Sequence, residues 1–171
     1  MASDPSPDLL LAPINGRPRP VVAWLTIFHL VFVALDPFSE RSAWLVETSG
    51  RILTNYDQAD CRVAFLVGGT AGEAREFLGH WATDILTFAD PDLTAIHGFG
   101  LQTLPAIVHL GMHGKVYAAA EGWHPAEWRT VTDGLAVVAD HELTRWVGRL
   151  LDHDPAERRA ALEDARAWVA A

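Results

Sequence analysis

The sequence predicts an α/β domain with a central mixed β-sheet flanked by helices, followed by a C-terminal helical extension. Short apolar runs alternate with segments that carry helix-start signals, which is typical of a sheet covered by helices. Two β-rich runs within residues 106–120 are joined by Gly111-Met112-His113-Gly114, which predicts a β-hairpin. After residue 140 the apolar residues recur at helical spacing only. The length of 171 residues suits one domain with an extension.

Five core strands are predicted from the apolar runs. They are expected near His29–Leu35, Cys61–Val67, Ile85–Ala89, Ala106–Leu110 and Lys115–Ala120. The first two runs are apolar nearly throughout, which is typical of central strands buried on both faces. Pro105 has no backbone N–H and therefore belongs at the start or the edge of a strand. A further short edge strand is expected within Leu9–Ile14, before the turn at Asn15-Gly16.

The helices are predicted from their start signals. Asp36-Pro37 predicts an N-cap followed by proline at the first helical position, so a helix is expected from there to about Asn55. Its inward face is expected to hold Trp44, Leu45, Ile52 and Tyr56. Thr70 and Glu73 have the spacing of a capping box, in which each side chain accepts a backbone N–H hydrogen bond from the other residue.

These signals divide the chain into three parts. Residues 1–20 form an N-terminal tail and edge segment, residues 21–139 the α/β domain, and residues 140–171 the helical extension. In the extension an apolar stripe recurs at helical spacing: Leu143, Trp146, Val147, Leu150 and Leu151. Such a stripe is too apolar to face water, so we expect it to cover the domain or to pair with a second copy in a homodimer.

Four short motifs within residues 90–116 carry a resemblance to a known family. They are Asp90-Pro91-Asp92, Gly98-Phe99-Gly100-Leu101, Thr103-Leu104-Pro105-Ala106 and Gly114-Lys115-Val116. This stretch resembles the C-terminal half of the thioredoxin superfamily, and looks most like its redoxin branch of thioredoxin-like reductases and peroxiredoxin relatives. The resemblance implies a thioredoxin-like fold. It also implies that the Leu104–Pro105 peptide bond is cis and that its loop lies beside the active-site helix.

The helix start after the first central strand carries no cysteine. In the family this helix begins with Cys-x-x-Cys, whose first thiol is the nucleophile. Here the segment reads Asp36-Pro37-Phe38-Ser39-Glu40-Arg41-Ser42. Counting from the strand places the family cysteines near Pro37 and Glu40, and a slip of the alignment places them at Ser39 and Ser42. Serine cannot form a disulfide, and its hydroxyl is a poor nucleophile without a base, so the resemblance implies the fold and not the dithiol activity.

Cys61 is the only cysteine. It can form neither an intrachain disulfide nor a cysteine-based zinc site, which favours a reducing, cytoplasmic location. Its place at the start of a buried strand predicts an inert side chain, and a reactive thiol is the alternative. No metal site and no cofactor are expected, because nothing in the placement of His109, His113 and His124 shows that they converge as ligands.

The charge and the hydropathy argue against some partners. A net charge of −9 and a pI near 5.2 argue against a nucleic-acid surface and against binding to anionic membranes. The apolar stretch Val21–Leu35 contains His29 and is shorter than the roughly 20 residues that a membrane-spanning helix needs. The charge itself selects no partner, and the expectation of a protein or peptide partner is what the resemblance to the thioredoxin superfamily implies.

Two functions are predicted from these observations. The first is a redox-inactive thioredoxin-fold module that binds a protein segment, or a second copy. Its binding surface is expected to consist of Asp36, Pro37, Phe38, Ser39, Arg41, Leu104 and Pro105. In active relatives the backbone beside the cis-proline pairs with an extended substrate peptide, and a chain without the cysteines can keep that groove. The alternative is an enzyme, either a monothiol oxidoreductase that uses Cys61 or cysteine-free chemistry at the Asp36–Ser42 turn.

Overall fold

The computed structural model describes residues 2–25, 28–56 and 61–134. The contacts divide the chain into two compact units, residues 1–132 and 133–171, and nearly all described residues belong to the first. The predicted extension, with its stripe from Leu143 to Leu151, lies outside the described residues. Its docking and the homodimer that it would form therefore stay predictions.

One mixed sheet of seven strands forms the centre of the described part of the chain. The strands are β1 (Leu10–Pro13), β2 (Arg19–Pro20), β3 (His29–Leu35), β4 (Cys61–Val67), β5 (Leu86–Ala89), β6 (Ala106–Leu110) and β7 (Val116–Glu121). Their order across the sheet is β2-β1-β5-β4-β3-β6-β7. All five predicted core strands are confirmed, to within one residue at each end. The strand expected within Leu9–Ile14 is β1, which pairs on its outer side with β2.

The central strand of the candidate site is β3. It pairs in parallel with β4, from His29 opposite Cys61 to Leu35 opposite Val67, and it pairs antiparallel with β6. Every residue of β3 is buried, as predicted for an apolar run between two neighbouring strands. β7 completes the hairpin with β6 and is the outermost strand on that side.

Four helices whose two ends both lie within the described residues, and one 3-10 turn, accompany the sheet. They are the turn Val21–Trp24 and the helices α1 (Glu40–Tyr56), α2 (Ala71–Leu78), α3 (Trp81–Asp84) and α4 (Thr94–Gly98). The chain is helical again over 125–134. The predicted capping box is present at α2, where Thr70 and Glu73 each accept the other's backbone N–H. Within the described residues, no helix is long and apolar enough to span a bilayer.

The core lies against the central strands. Phe32 of β3 belongs to one buried cluster with Trp24 of the 3-10 turn and with Phe99, which follows α4. α1 packs against β3 and β4 and buries Leu45 and Leu53. The ends of β3 and α1 are therefore held firmly, and the loop between them is positioned by the core.

Gly50 permits a close approach between α1 and α3. A Cβ atom at this position would lie 2.3 Å from the ring of Trp81, whose indole N–H donates a hydrogen bond to Glu47 of α1. We expect Gly50→Ala to lower the free energy of unfolding by about 1–3 kcal/mol, because the ring must leave a packed site. Denaturant unfolding followed by circular dichroism measures this change.

Gly72→Ala is the matched control for that variant. Gly72 lies in α2, and the nearest atom to an added Cβ is 3.9 Å away. Alanine is the better helix former, so this change should leave stability unchanged or raise it by up to about 1 kcal/mol. Equal effects of the two substitutions would contradict the packing role of Gly50.

Candidate functional site

Three loops meet at one end of the sheet. Asp36 follows β3, the pair Gly68-Gly69 follows β4, and Leu104-Pro105 precedes β6. The strand register places these loops side by side, and the N–H of Gly68 donates a hydrogen bond of 2.9 Å to the carbonyl of Leu35. The structure thus brings together the two segments that the sequence assigned to the binding surface. The Leu104–Pro105 peptide bond is cis, as the resemblance implied.

The helix at this site begins later than predicted. α1 starts at Glu40, and Asp36 lies in the turn before it. The Asp36 carboxylate accepts the N–H of Phe38 at 2.9 Å, and its carbonyl accepts the N–H of Ser39 at 3.2 Å. The prediction of Asp36 as N-cap and Pro37 as first helical residue is therefore wrong. A short Asp side chain can bond the backbone two residues on, and proline favours the second position of a turn, so this pair formed a turn instead.

Two serines occupy the start of α1. Ser39 is half-buried and directly precedes the first helical residue, while Ser42 lies in the first turn and is wholly buried. The Ser42 hydroxyl accepts the N–H of Asp36 at 3.1 Å. This arrangement favours Ser39 and Ser42, rather than Pro37 and Glu40, as the pair at the helix start. Among the described residues, no histidine or carboxylate side chain is hydrogen-bonded to Ser39, and a hydroxyl is a poor nucleophile without a base.

Aromatic side chains are exposed beside this helix start. Phe38 is 74% exposed and Trp44 is 77% exposed, and Arg41 between them is exposed as well. The prediction that Trp44 faces inward is wrong, although Leu45 is buried as expected. The buried face of α1 contains Leu45, Ser49 and Leu53, and Trp44 lies outside that face. Exposed aromatic residues are typical of surfaces that contact a partner.

A carboxylate from β7 holds the loop that leads to Pro105. Glu121 accepts the backbone N–H groups of Gln102 at 2.7 Å and of Thr103 at 2.9 Å. Burial acts to raise the pKa of Glu121, but the hydrogen bonds that it accepts hold the pKa below its ordinary value. The sequence did not single out this residue for such a role. Its partners lie 18 and 19 residues away, and only the hairpin register brings them close.

A groove of about 610 Å³ runs along β7 and reaches this loop. It is lined by Ala2, Gln102, Thr103, Val116, Tyr117, Ala118, Ala119, Ala120, Glu121 and Glu127. Ala118, Ala119 and Ala120 of β7 present only small side chains to the groove, whereas the Asp4 carboxylate already accepts the N–H of Val116 at 2.8 Å. Such a groove suits an extended chain that lies along a sheet edge.

Cys61 lies at the other end of the sheet. It is the first residue of β4, is 7% exposed, and its thiol donates a hydrogen bond to the carbonyl of Tyr56. A strand of this length spans about 20 Å at a rise of ~3.3 Å per residue. The structure therefore separates Cys61 from Ser39 and from the loop at Pro105.

Solved structures match this chain, whereas no family model and no curated protein does. BcpB, a peroxidoxin of Mycobacterium tuberculosis, is 13% identical with a TM-score of 0.65, over 80% of this chain and 97% of that chain. Peroxiredoxin Q of Xanthomonas campestris is 16% identical with a TM-score of 0.62, over 78% and 92%. A secreted M. tuberculosis disulfide oxidoreductase homologous to E. coli DsbE is 11% identical with a TM-score of 0.59, over 74% and 96%.

The chain has the thioredoxin-like fold. The resemblance inferred from residues 90–116 is thus confirmed for the fold, and identities this low show nothing beyond it. This thioredoxin-like chain lacks a Cys-x-x-Cys motif, because Cys61 is its only cysteine.

A buried histidine pair lies near the first residue of β3, at the end of the thioredoxin-like sheet that holds Cys61. Nδ1 of His29 and Nε2 of His109 are 2.7 Å apart, the side chains are 3% and 1% exposed, and the ring of Tyr117 lies 5.4 Å from both. Burial, and secondarily the charge of His29, lowers the pKa of His109 to about 4. Among the described residues, no group of three or more His, Cys, Asp or Glu side chains is placed so that it could bind a metal ion. In the sequence His109 stood out only as a candidate metal ligand, and no local signal pointed to its partner, which lies 80 residues away.

His109 gives the fold a pH dependence. The unfolded chain binds a proton at His109 near the ordinary value of 6.5, whereas the folded chain does so only near pH 4. Stability from this residue is therefore complete above pH 6.5 and is lost as the pH falls toward about 4. We expect the free energy of unfolding to fall between pH 7 and 5 with a slope approaching about 1.4 kcal/mol per pH unit.

His109→Gln should remove most of this slope, because glutamine can bond His29 but does not titrate. Denaturant unfolding at several pH values measures it. His113→Gln is the control, since His113 is exposed in the hairpin turn, and it should keep the wild-type slope. An unchanged slope in His109→Gln would mean that another group causes the pH dependence.

The positions of Ser39 and Ser42 can be tested by replacing both with cysteine. We expect Ser39→Cys/Ser42→Cys, in a Cys61→Ser background, to form an intrachain disulfide on mild oxidation, because the two positions have the helix-start location of a dithiol. Mass spectrometry would detect the loss of two hydrogens. Pro37→Cys/Glu40→Cys in the same background tests the other alignment and should oxidise less readily. The reverse order would show that the site was assigned to the wrong pair.

Proposed function

We propose that this chain is a thioredoxin-fold protein that binds an extended protein segment and does so without dithiol chemistry. The binding surface consists of the Asp36–Ser42 loop and the Leu104–Pro105 loop. The observation that carries this proposal is the start of α1. Ser39 and Ser42 stand there in place of a dithiol, and the neighbouring loop contains the cis Leu104–Pro105 peptide bond.

The backbone around the Leu104–Pro105 loop supports an extended ligand. Glu121 fixes the N–H groups of Gln102 and Thr103, so the loop is held in one conformation before a ligand arrives. The groove along β7 continues from this loop beside three small side chains. A segment in β conformation can therefore lie along the sheet edge and reach the start of α1.

Charge and exposed aromatic surface define the class of segment. The chain has a net charge of −9, and the exposed Glu127 stands at the rim of the groove. Complementary charge favours a segment with lysine or arginine residues. Phe38 and Trp44 offer apolar contact for a larger side chain of the same segment.

A binding assay with extended Lys/Arg-containing peptides tests the proposal. We expect Phe38→Ala and Glu127→Lys each to weaken binding about tenfold, since loss of an exposed interface aromatic or reversal of a rim charge costs roughly 1–2 kcal/mol. Leu10→Ala and Glu76→Lys are the matched controls, because both residues are exposed away from the groove. If all four variants bound such peptides as the wild type does, this surface would not be the binding site.

A thiol-dependent oxidoreductase is the second candidate. The similar structures include peroxiredoxins and a disulfide oxidoreductase, and they support this class better than they support a pure binding module. Cys61 is the only thiol that could serve it, and a lone cysteine reacts by forming a mixed disulfide. The burial of Cys61 and its hydrogen bond to Tyr56 disfavour that reaction. Cysteine-free chemistry at the Asp36–Ser42 turn stays a prediction, because no described side chain there acts as a general base for a serine hydroxyl.

Thiol chemistry separates the two candidates. We expect Cys61 in the native chain to react slowly with a thiol reagent and rapidly only after denaturation. We also expect no disulfide reduction and no hydrogen peroxide consumption by the wild type or by Cys61→Ser. Turnover in the wild type that disappears in Cys61→Ser would establish the oxidoreductase and reject the binding module.

A cytoplasmic location and a homodimer are further proposals for this chain. A cytoplasmic location was predicted from the cysteine content, whereas one of the similar structures is a secreted protein. Sedimentation of the full chain and of residues 1–139 would test the homodimer predicted from residues 140–171.

A further inference from the structure

Trp24 carries a buried donor for which no acceptor lies in the part of the chain that the structure describes. Its side chain is 8% exposed, it belongs to the core cluster, and its ring meets the ring of Phe88 edge to face at 4.9 Å. Its indole Nε1 is buried and has no hydrogen-bond partner among the described residues. Buried N–H groups normally have an acceptor, so an unpaired one calls for an explanation.

Two arginines lie over the same indole ring. The guanidinium carbon of Arg19 is 5.5 Å from the ring centroid and that of Arg62 is 5.6 Å from it. Within residues 2–25, 28–56 and 61–134, neither guanidinium forms an ion pair with a carboxylate, in contrast to Arg51, which pairs with Glu47. Two cations without a described counter-charge thus meet at one side chain of a chain with net charge −9.

We propose that Arg19, Arg62 and the indole N–H of Trp24 form a binding site for a phosphate group. The planar guanidinium fork matches the spacing of phosphate oxygens and binds them in a bidentate manner. The indole N–H supplies a neutral donor for a further oxygen. The core holds Trp24 in place, so the ring acts as a fixed platform for the two flexible arginine side chains.

The site is separate from the proposed peptide surface. Arg62 is the second residue of β4 and lies opposite Leu30 near the start of β3, whereas α1 begins beyond the other end of β3. Arg19 lies on β2, at the opposite edge of the sheet from β7. The proposed phosphate site therefore does not depend on the proposed peptide-binding function, and each can be tested separately.

A phosphate group can reach this site from two sources. A soluble phosphate monoester and an anionic lipid headgroup present the same group to the arginines. Leu10, which is 57% exposed, pairs with Pro20 next to Arg19, and Val22, which is 45% exposed, lies two residues before Trp24. Both would contact the acyl region if the source were a lipid. The experiment therefore includes both sources.

Thermal unfolding of the full chain tests the soluble source. Inorganic phosphate and glycerol phosphate are titrated at constant ionic strength. We expect a saturable rise in Tm of ~5–10 °C at a ligand concentration about 100 times Kd. Arg19→Gln/Arg62→Gln should abolish this rise, whereas Arg51→Gln, which removes a paired surface charge, should keep it.

Trp24→Phe isolates the indole donor, because it keeps a ring for the guanidinium groups and removes the N–H. We expect it to weaken phosphate binding about tenfold, and an unchanged affinity would reject the role of the N–H.

Co-sedimentation with phosphatidylglycerol vesicles, with phosphatidylcholine vesicles as the blank, tests the lipid source. Binding to those vesicles alone, lost in the double arginine variant, would assign the site to a lipid headgroup. No response to any probe, or an undiminished response in the double variant, would overturn the proposal.

Discussion

The candidate site depends on the pairing of β3 with β4 on one side and with β6 on the other. β3 is buried along its whole length, so hydrogen bonds hold both of its edges and apolar contacts hold both of its faces. This pairing places the turn at Asp36 beside the loop at Leu104–Pro105. The register of the β6–β7 hairpin then places Glu121 where it can hold that loop. Segments far apart in the chain thereby form one surface.

At that surface the backbone has the arrangement of a thioredoxin-like fold, but the side chains at the helix start are hydroxyls and not thiols. At the helix start Ser39 is half-buried and Ser42 is buried, at the spacing of a Cys-x-x-Cys pair, and both side chains are hydroxyls. The hydroxyl of Ser42 is engaged by the N–H of Asp36 and so serves the turn. The only thiol lies at the far end of β4. Binding and thiol chemistry are therefore separate hypotheses about separate places in the molecule, and experiments can address each without disturbing the other.

The end of the sheet away from Ser39 carries polar side chains whose contacts sequence reasoning missed. His29 and His109 form a hydrogen-bonded pair there, and Arg19 and Arg62 lie over Trp24. The histidine pair makes stability depend on pH without touching the peptide surface. The two arginines concentrate positive charge on an acidic protein. Both features arise where side chains from distant strands meet, so neither belongs to a recognisable motif.

Local signals in the sequence by themselves determined the strands, the capping box and the absence of a dithiol. β3 and β4 were predictable because their residues are apolar almost throughout, and the capping box because Thr70 and Glu73 lie within one turn of each other. The missing thiols follow from composition alone. These features depend on residues that are close in the chain or on what the chain contains.

Tertiary structure alone decided the phase of α1 and the long-range contacts. Trp44 and Leu45 are adjacent, yet Leu45 is buried and Trp44 is 77% exposed, a difference that the apolar pattern by itself did not distinguish. His29 and His109 lie 80 residues apart, and Glu121 meets Gln102 only through the hairpin register. No local pattern encodes such a meeting, because it depends on how strands far apart in the sequence align when the sheet forms.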